Sequence, residues 1–230
     1  MSEQLLEAIE IETGRNPTAS VIWLHGLGAD GNDFVPMAQE LGLPQALPVR
    51  FIFPHAPMQP VTINNGYVMR AWYDVSLDDL EGNSRRADEN GVRASQAAIG
   101  KLIAREAERG IFFKNIVLAG FSQGGAVALQ TGLRYPQRLA GVLALSTYLP
   151  LADSLPQEAS PANLRTPIFM AHGTHDPVVP YAMGSNSKEF LEKMGYSVEW
   201  HDYPMQHSVS LEEIQDIGMW LKRVLAARQS

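Results

Sequence analysis

The stretch Gly120-Phe121-Ser122-Gln123-Gly124-Gly125 decides the fold, because it joins a strand-like segment to a helix-compatible one. The preceding residues, Ile116 to Ala119, form a short apolar run that is typical of a buried strand. The following residues, Ala126 to Tyr135, are compatible with a helix. A serine between two glycines at such a junction predicts a sharp strand-to-helix turn that exposes the hydroxyl at the end of the strand. Ser122 is therefore a candidate nucleophile.

A candidate acid follows further along the chain. The apolar run Ile168 to Ala171 predicts a buried strand, and Gly173 begins the loop that leaves it. Asp176 then lies beyond the carboxyl end of this strand, the edge at which open α/β sheets place their ligands. The competing carboxylates fit less well, because they lie in a Pro- and Ser-containing loop, on a predicted helix or inside a predicted strand: Asp153, Glu158, Glu189, Glu192, Glu199 and Asp202.

Six histidines compete for the role of general base. One known order of catalytic triads along a chain is serine, acid, histidine. Four histidines precede Asp176 and so break that order: His25, His55, His172 and His175. His201 lies inside a predicted strand, Val198 to Tyr203, whereas His207 follows that strand in a short link before the last helix. We therefore predict a triad of Ser122, Asp176 and His207.

The glycine-rich loop from Gly26 to Gly31 follows another predicted strand, Ala19 to Leu24. Such a loop lets bare backbone approach a substrate closely, so the amides of Leu27 and Gln123 are the predicted oxyanion hole. The same loop also matches the G-x-G-x-x-G fingerprint of dinucleotide binding. That fingerprint requires an acidic residue at the end of the next strand, and the strand from Val49 to Phe53 has none. We therefore predict no nucleotide cofactor.

Six segments of the sequence, between about Val21 and Leu225, together resemble those of a known protein family. These segments are LHGLGADG, PHAP, VTINNGYVMRAWYD, GFSQGGAVAL, HGTHDPVVP and MQH. Together they resemble the carboxylesterase and acyl-protein thioesterase (lysophospholipase-like) family. The resemblance implies an α/β-hydrolase fold with the triad at Ser122, Asp176 and His207, and oxyanion donors at Leu27 and Gln123.

The resemblance also bears on the substrate site. The WYD segment looks like the bacterial carboxylesterase branch, which implies that Trp72 lies near the acyl group. A core tryptophan that anchors a loop is an equally good interpretation of Trp72. We also expect Val178, close to Asp176, to contact substrate. Because related esterases are often dimers, the resemblance suggests a homodimer without fixing the oligomeric state.

Composition limits the classes of function. The 230 residues, 45% of them hydrophobic, suit one globular domain, and we predict a single α/β-hydrolase domain over residues 1–230. The net charge of −7 argues against nucleic acid or an anionic membrane as partner. Neither a secretory signal nor a membrane span is recognisable, so we expect a cytoplasmic protein without membrane insertion. The absence of cysteine excludes disulfides and thiolate metal sites. Neither the Asp30–Asp33 cluster nor the His172/His175 pair has metal-site spacing, so we predict no metal.

The order of predicted elements indicates a mostly parallel central sheet with helices on both faces and no large cap domain. The strands Leu6–Ile11 and Ala19–Leu24 are close enough along the chain to pair as a hairpin. Two irregular stretches interrupt the pattern, Pro57 to Asn90 and Tyr148 to Thr166. For the second we consider a small lid over an apolar groove and, equally, a plain surface loop.

The predicted activity is hydrolysis of short- to medium-chain carboxylic esters through an acyl-enzyme. A lysophospholipid or an S-acylated protein is an alternative substrate. A binding module on a hydrolase scaffold is a further alternative, since a fold does not fix a function. A peptidase is also open, but no acidic anchor for a peptide amine is recognisable.

Overall fold

A seven-stranded sheet runs through residues 5–76 and 88–226, the parts of the chain that the computed structural model describes. Its strands are β1 (Ala8–Glu12), β2 (Ala19–Leu24), β3 (Val49–Pro54), β6 (Ile116–Phe121), β7 (Gly141–Leu145), β8 (Ile168–Gly173) and β9 (Val198–Tyr203). A separate hairpin consists of β4 (Met58–Val61) and β5 (Tyr67–Arg70). The order across the large sheet is β1-β3-β2-β6-β7-β8-β9, and every neighbouring pair except β1 with β3 is parallel.

Helices cover both faces of the sheet, as the sequence predicts. In chain order they are α1 (Met37–Glu40), α2 (Glu89–Glu108), α3 (Gln123–Arg134), α4 (Leu155–Glu158), α5 (Tyr181–Lys193) and α6 (Leu211–Ala226). Buried side chains of α2, α3 and α5 pack with one set of strand residues, whereas those of α1 and α6 pack with the alternate set. The sheet is thus the middle layer of three, which leaves the ends of its strands as the accessible edges.

The expected hairpin between the first two strands is wrong. β1 instead pairs antiparallel with β3, and β2 lies between β3 and β6. The burial of the two strands explains this order. All six residues of β2 are buried, as a central parallel strand requires, whereas β1 is only partly buried and so suits the edge.

Two polar residues of α2, Ser95 and Glu106, are buried and have partners in the core. Ser95 donates its hydroxyl hydrogen bond to the carbonyl of Trp72. The carboxylate of Glu106, fully buried, accepts from the Ser20 hydroxyl at 2.6 Å and from the Arg50 guanidinium at 2.8 Å. These contacts explain how the buried face of α2 accommodates polar side chains, since buried polar groups are retained when they are hydrogen-bonded.

The segment from residue 148 to 166 is packed against the body of the protein and does not support the lid hypothesis. Leu155 is fully buried, and the buried Asn163 side chain bonds to backbone groups of Tyr135, Gln137 and Leu139. Tyr148, at the start of the segment, lines the cavity described below. In the other irregular stretch the structure has the β4–β5 hairpin, while residues 77–87 lie outside the described residues.

Candidate active site

Ser122 stands between the end of β6 and the start of α3 in a sharp turn. Its backbone angles, φ 54° and ψ −123°, lie in a region that residues other than glycine rarely adopt. The Ser122 amide donates to the carbonyl of Leu145 at 2.8 Å, and the Ser122 carbonyl accepts from the Thr147 hydroxyl at 2.6 Å. Contacts from the end of β7 therefore hold this strained residue in place.

The glycines around Ser122 are required by close packing of backbone on backbone. A Cβ atom at Gly120 would overlap the backbone of Gly124, and one at Gly124 would overlap the carbonyl of Leu24. Only glycine fits at these two positions, which explains the spacing that stood out in the sequence.

Asp176 lies in the loop after β8, with none of its side chain exposed. One carboxylate oxygen, Oδ1, accepts from the amides of Val178 at 2.8 Å and Val179 at 2.9 Å. The other, Oδ2, lies 2.7 Å from Nδ1 of His207. Because a carboxylate only accepts, Nδ1 of His207 carries the proton and leaves Nε2 as the acceptor.

His207 follows β9, and its imidazole packs on the ring of Phe121 with 4.6 Å between ring centroids. Phe121 directly precedes Ser122, so the imidazole lies beside the sharp turn. Both Ser122 and His207 line the same cavity. The structure thus brings together the three residues that chain order had selected.

The loop after β2 supplies a second wall of this cavity. His25 is buried, accepts from the Ala56 amide at Nε2 (3.0 Å) and donates from Nδ1 to the Gly26 carbonyl (2.7 Å). Burial lowers the pKa of His25, so it is a neutral structural residue. Leu27, two residues after His25, lines the cavity, and so does Gln123. Gln123 is the first residue of helix α3, so its backbone amide has no acceptor within the helix.

Trp72 lies in the core. This position agrees with the interpretation that Trp72 anchors a loop, and it corrects the expectation that Trp72 lies near the acyl group of the substrate. It is 2% exposed and does not line the cavity that holds Ser122. Its indole N–H donates to the His25 carbonyl at 2.9 Å, and its backbone amide donates to the Gln123 side chain at 2.8 Å. The Gln123 side chain also donates to the Tyr73 carbonyl at 2.7 Å. It therefore connects the backbone of Trp72 and Tyr73, which follow β5, to the sharp turn at Ser122.

The cavity has a volume of about 490 Å³. Its wall is largely apolar and contains Leu27, Phe34, Ile63, Val75, Phe121, Val178 and Val179. Val178 is 47% exposed and lines it, and its contact with substrate stays a prediction. Sequence analysis missed Tyr73 and Tyr148, which also line the cavity and join their hydroxyls across 2.9 Å. Tyr73 lies within the WYD segment and Tyr148 in none of the segments quoted above, and only tertiary folding brings the two side chains together.

The remaining motifs have structural roles. Asp30 accepts from the Asn32 amide at 2.7 Å and so caps a short helical turn. His201 stacks on Phe169 with 4.7 Å between ring centroids, in agreement with its place inside a strand. Within residues 5–76 and 88–226, no three histidine or acidic residues form a group that could hold a metal ion. Over the same residues, no helix combines the length and apolarity needed to cross a membrane.

Comparison with known proteins shows which family the chain resembles. Residues 6–225 match the family described as phospholipase/carboxylesterase. The acyl-protein thioesterase 1 of Neurospora crassa is 44% identical, over 89% of this chain and 86% of its own. That of Cryptococcus neoformans is 39% identical, over 96% and 98% respectively. The crystal structure of Arabidopsis thaliana SOBER1 superposes with a TM-score of 0.83 at 33% identity, covering 90% of this chain and 99% of that one.

The fold is therefore that of the α/β-hydrolases, and the protein is a member of a hydrolase family. More narrowly, the chain belongs to the phospholipase/carboxylesterase family. The resemblance drawn from the sequence motifs is confirmed.

Proposed function

We propose that Ser122, His207 and Asp176 form a catalytic triad that hydrolyses acyl esters. The observation that carries this proposal is the 2.7 Å contact between Asp176 Oδ2 and His207 Nδ1, beside a serine in a strained turn. The contact fixes the tautomer in which Nε2 can accept the Ser122 proton. A ligand-binding scaffold has no need of a strained serine, so this feature favours an enzyme over a binding module.

The reaction has two halves. His207 takes the Ser122 proton as the hydroxyl oxygen attacks the carbonyl carbon of the substrate. Collapse of the tetrahedral intermediate breaks the bond to the alcohol, which leaves with the proton that His207 returns to it. A water molecule, deprotonated by His207, then attacks the acyl-enzyme and releases the acid. Throughout, the buried Asp176 carboxylate stabilises the charged imidazole.

The oxyanion of each tetrahedral intermediate requires hydrogen-bond donors. We assign this role to the backbone amides of Leu27 and Gln123, because both residues line the cavity. The Gln123 amide also stands at the N-terminus of α3, where the helix dipole favours negative charge. Two donors that are fixed before the reaction stabilise the transition state without reorganisation.

The substrate class follows from the cavity. An apolar space of about 490 Å³ lies within the range of about 300–1,000 Å³ typical of ligand sites. It supports a short- to medium-chain acyl group as the part of the substrate that is bound. Thioester hydrolysis is the second candidate, because the fungal relatives are named acyl-protein thioesterases.

The test of the triad is Ser122→Ala, measured on a p-nitrophenyl ester. We expect turnover to fall by about four to six orders of magnitude. Ser146→Ala is the matched control, since Ser146 also has a positive φ, 45°, and follows the neighbouring strand β7. The control is expected to keep its activity. A fully active Ser122→Ala protein, or a wild type that a fluorophosphonate does not label, would end the proposal.

The choice of substrate needs a separate experiment. Rates of p-nitrophenyl esters of increasing chain length are compared with those of an acyl thioester of matched length. A higher kcat/KM for the oxygen ester supports a carboxylesterase, and a higher value for the thioester supports the alternative. The homodimer expected from the family resemblance stays a prediction, which sedimentation equilibrium would test.

A further inference from the structure

His172 is a second histidine beside Asp176, and the triad does not use it. It lies near the end of β8 with 1% of its side chain exposed. Burial lowers the pKa of its imidazole, so the ring is neutral and carries one proton. The ionisable groups around it are Asp176, His207, Asp202 and Tyr181.

The contacts of His172 determine where that proton lies. Nε2 is 2.9 Å from the carbonyl oxygen of Val179, which can only accept, so Nε2 is the donor. The same atom is 3.5 Å from Asp176 Oδ2, the oxygen that contacts His207. Val179 in turn donates its amide to Asp176 Oδ1. His172 thus closes a ring of contacts around the Asp176 carboxylate.

Helix α5 fixes the position of the His172 ring. A Cβ atom at Gly184, in the first turn of this helix, would overlap His172 Nδ1. On its other sides the ring faces those of Tyr181 and Trp200, with centroids 5.8 and 6.3 Å away. Among the described residues, Nδ1 has no hydrogen-bond partner, so the ring is held by packing on one side and by its Nε2 contacts on the other.

We infer that His172 is a positioning residue, which ties the turn from Asp176 to Val179 to strand β8 and keeps Asp176 Oδ2 directed at His207. This inference rests on the proposed function, because it assigns His172 a role through Asp176. His172 does not itself act on the substrate. The role predicts that loss of the Nε2 donor weakens catalysis more than substrate binding.

The first test compares His172→Phe with His172→Gln. Phenylalanine keeps a ring but has no donor, whereas the glutamine amide restores an N–H group. We expect kcat of His172→Phe on a p-nitrophenyl ester to fall about 10- to 100-fold, with KM changed by less than about twofold. The acidic limb of its kcat/KM profile moves to lower pH, because a displaced carboxylate stabilises the imidazolium less. His172→Gln is expected to recover most of kcat.

The second test approaches the same ring from helix α5. Gly184→Ala is expected to lower kcat in the wild type by displacing His172, although alanine favours a helix over glycine. In a His172→Ala background the added methyl group has room, so Gly184→Ala causes no further loss. An equal loss in both backgrounds would implicate the Thr147 carbonyl, 3.2 Å from the same Cβ position, and would overturn the inference.

Fluorophosphonate labelling distinguishes a failure of the proposed function from a failure of the role inferred for His172. A wild type that is not labelled contradicts the proposed function. A labelled wild type combined with a His172→Phe variant of wild-type kcat and pH profile contradicts only the role of His172. Circular dichroism checks that each variant is folded. If His172→Phe does not fold, His172→Gln and the Gly184→Ala pair decide the question.

Discussion

At the scale of single residues, the proposed nucleophile Ser122 adopts a backbone conformation that lowers the stability of the protein. A non-glycine residue at φ 54° and ψ −123° stores on the order of 1–3 kcal/mol of backbone strain. Ser122→Gly and Ser122→Ala both remove the hydroxyl, but only alanine keeps the strained Cβ. We expect Ser122→Gly to unfold in urea with a free energy about 1 kcal/mol higher than that of Ser122→Ala. Equal stabilities would show that the strain is no larger than the extra backbone entropy that glycine has in the unfolded chain.

Glu213 gives a second expectation at this scale. Its carboxyl group is fully buried, and burial raises its pKa to about 8. The native state therefore holds a proton that the unfolded chain releases near its ordinary pKa of 4.5. Stability is present at low pH and falls as the pH rises from about 4.5 through 8. Glu213→Gln cannot ionise, so we expect it to exceed the wild type by about 2–4 kcal/mol at pH 9.

Urea unfolding of both proteins at several pH values measures this difference. The two curves of unfolding free energy against pH are expected to diverge on the alkaline side. Parallel curves would mean that Glu213 ionises as freely in the folded protein as in the unfolded chain.

Single residues also show what the sequence can predict about the site. Chain order and position after a strand selected Ser122, Asp176 and His207, because the carboxyl ends of parallel strands meet at one edge. The same arguments do not extend to Trp72 or to the Tyr73–Tyr148 pair. Their positions depend on how loops pack across the sheet, and no local pattern of residues records that packing.

At the scale of elements, the segment around α4 is fixed by a cluster of charges. Glu158 accepts from Arg134 at 2.6 Å and from Arg93 at 2.7 Å, and the Arg93 bond in particular lowers its pKa to about 2. Only 3% of the Arg134 side chain is exposed. We expect Glu158→Gln to lower the free energy of unfolding by about 2 kcal/mol, because it leaves Arg134 buried without its carboxylate.

Urea unfolding at neutral pH is the measurement, with Glu189→Gln as control. Glu189 pairs with Lys193 on an exposed face of α5, so its loss is expected to cost less than about 0.5 kcal/mol. Because the segment belongs to the body of the protein, Glu158→Gln is also expected to leave the preference for ester chain length unchanged. A shifted preference would revive the lid hypothesis.

The elements were predictable to different degrees. The buried strands follow from apolar runs in the sequence, and the helix after Ser122 follows from the helix-compatible segment behind it. The pairing of β1 with β3 does not, because nearness along the chain favoured a hairpin with β2. The strands compete for the central positions of the sheet, and this competition decides which of them pair. It involves strands that lie far apart in sequence.

At the scale of the whole molecule, the site is assembled from distant parts of the chain. The loops after β2, β6, β8 and β9 all contribute side chains or amides to it. No single segment carries the activity. We therefore expect esterase activity and far-UV circular dichroism to be lost at the same urea concentration, as in a two-state transition. Loss of activity at a clearly lower concentration would point to local opening around one of these loops.

The position of His207 behind the last strand has a consequence for biosynthesis. A ribosome makes the serine-bearing turn long before it makes the imidazole, and β9 must add to the sheet edge before that imidazole is in place. Nascent chains that have not yet released β9 and α6 from the exit tunnel would carry an unactivated serine. With the proposed triad, hydrolysis therefore begins only after β9 and His207 have emerged and β9 has paired with β8.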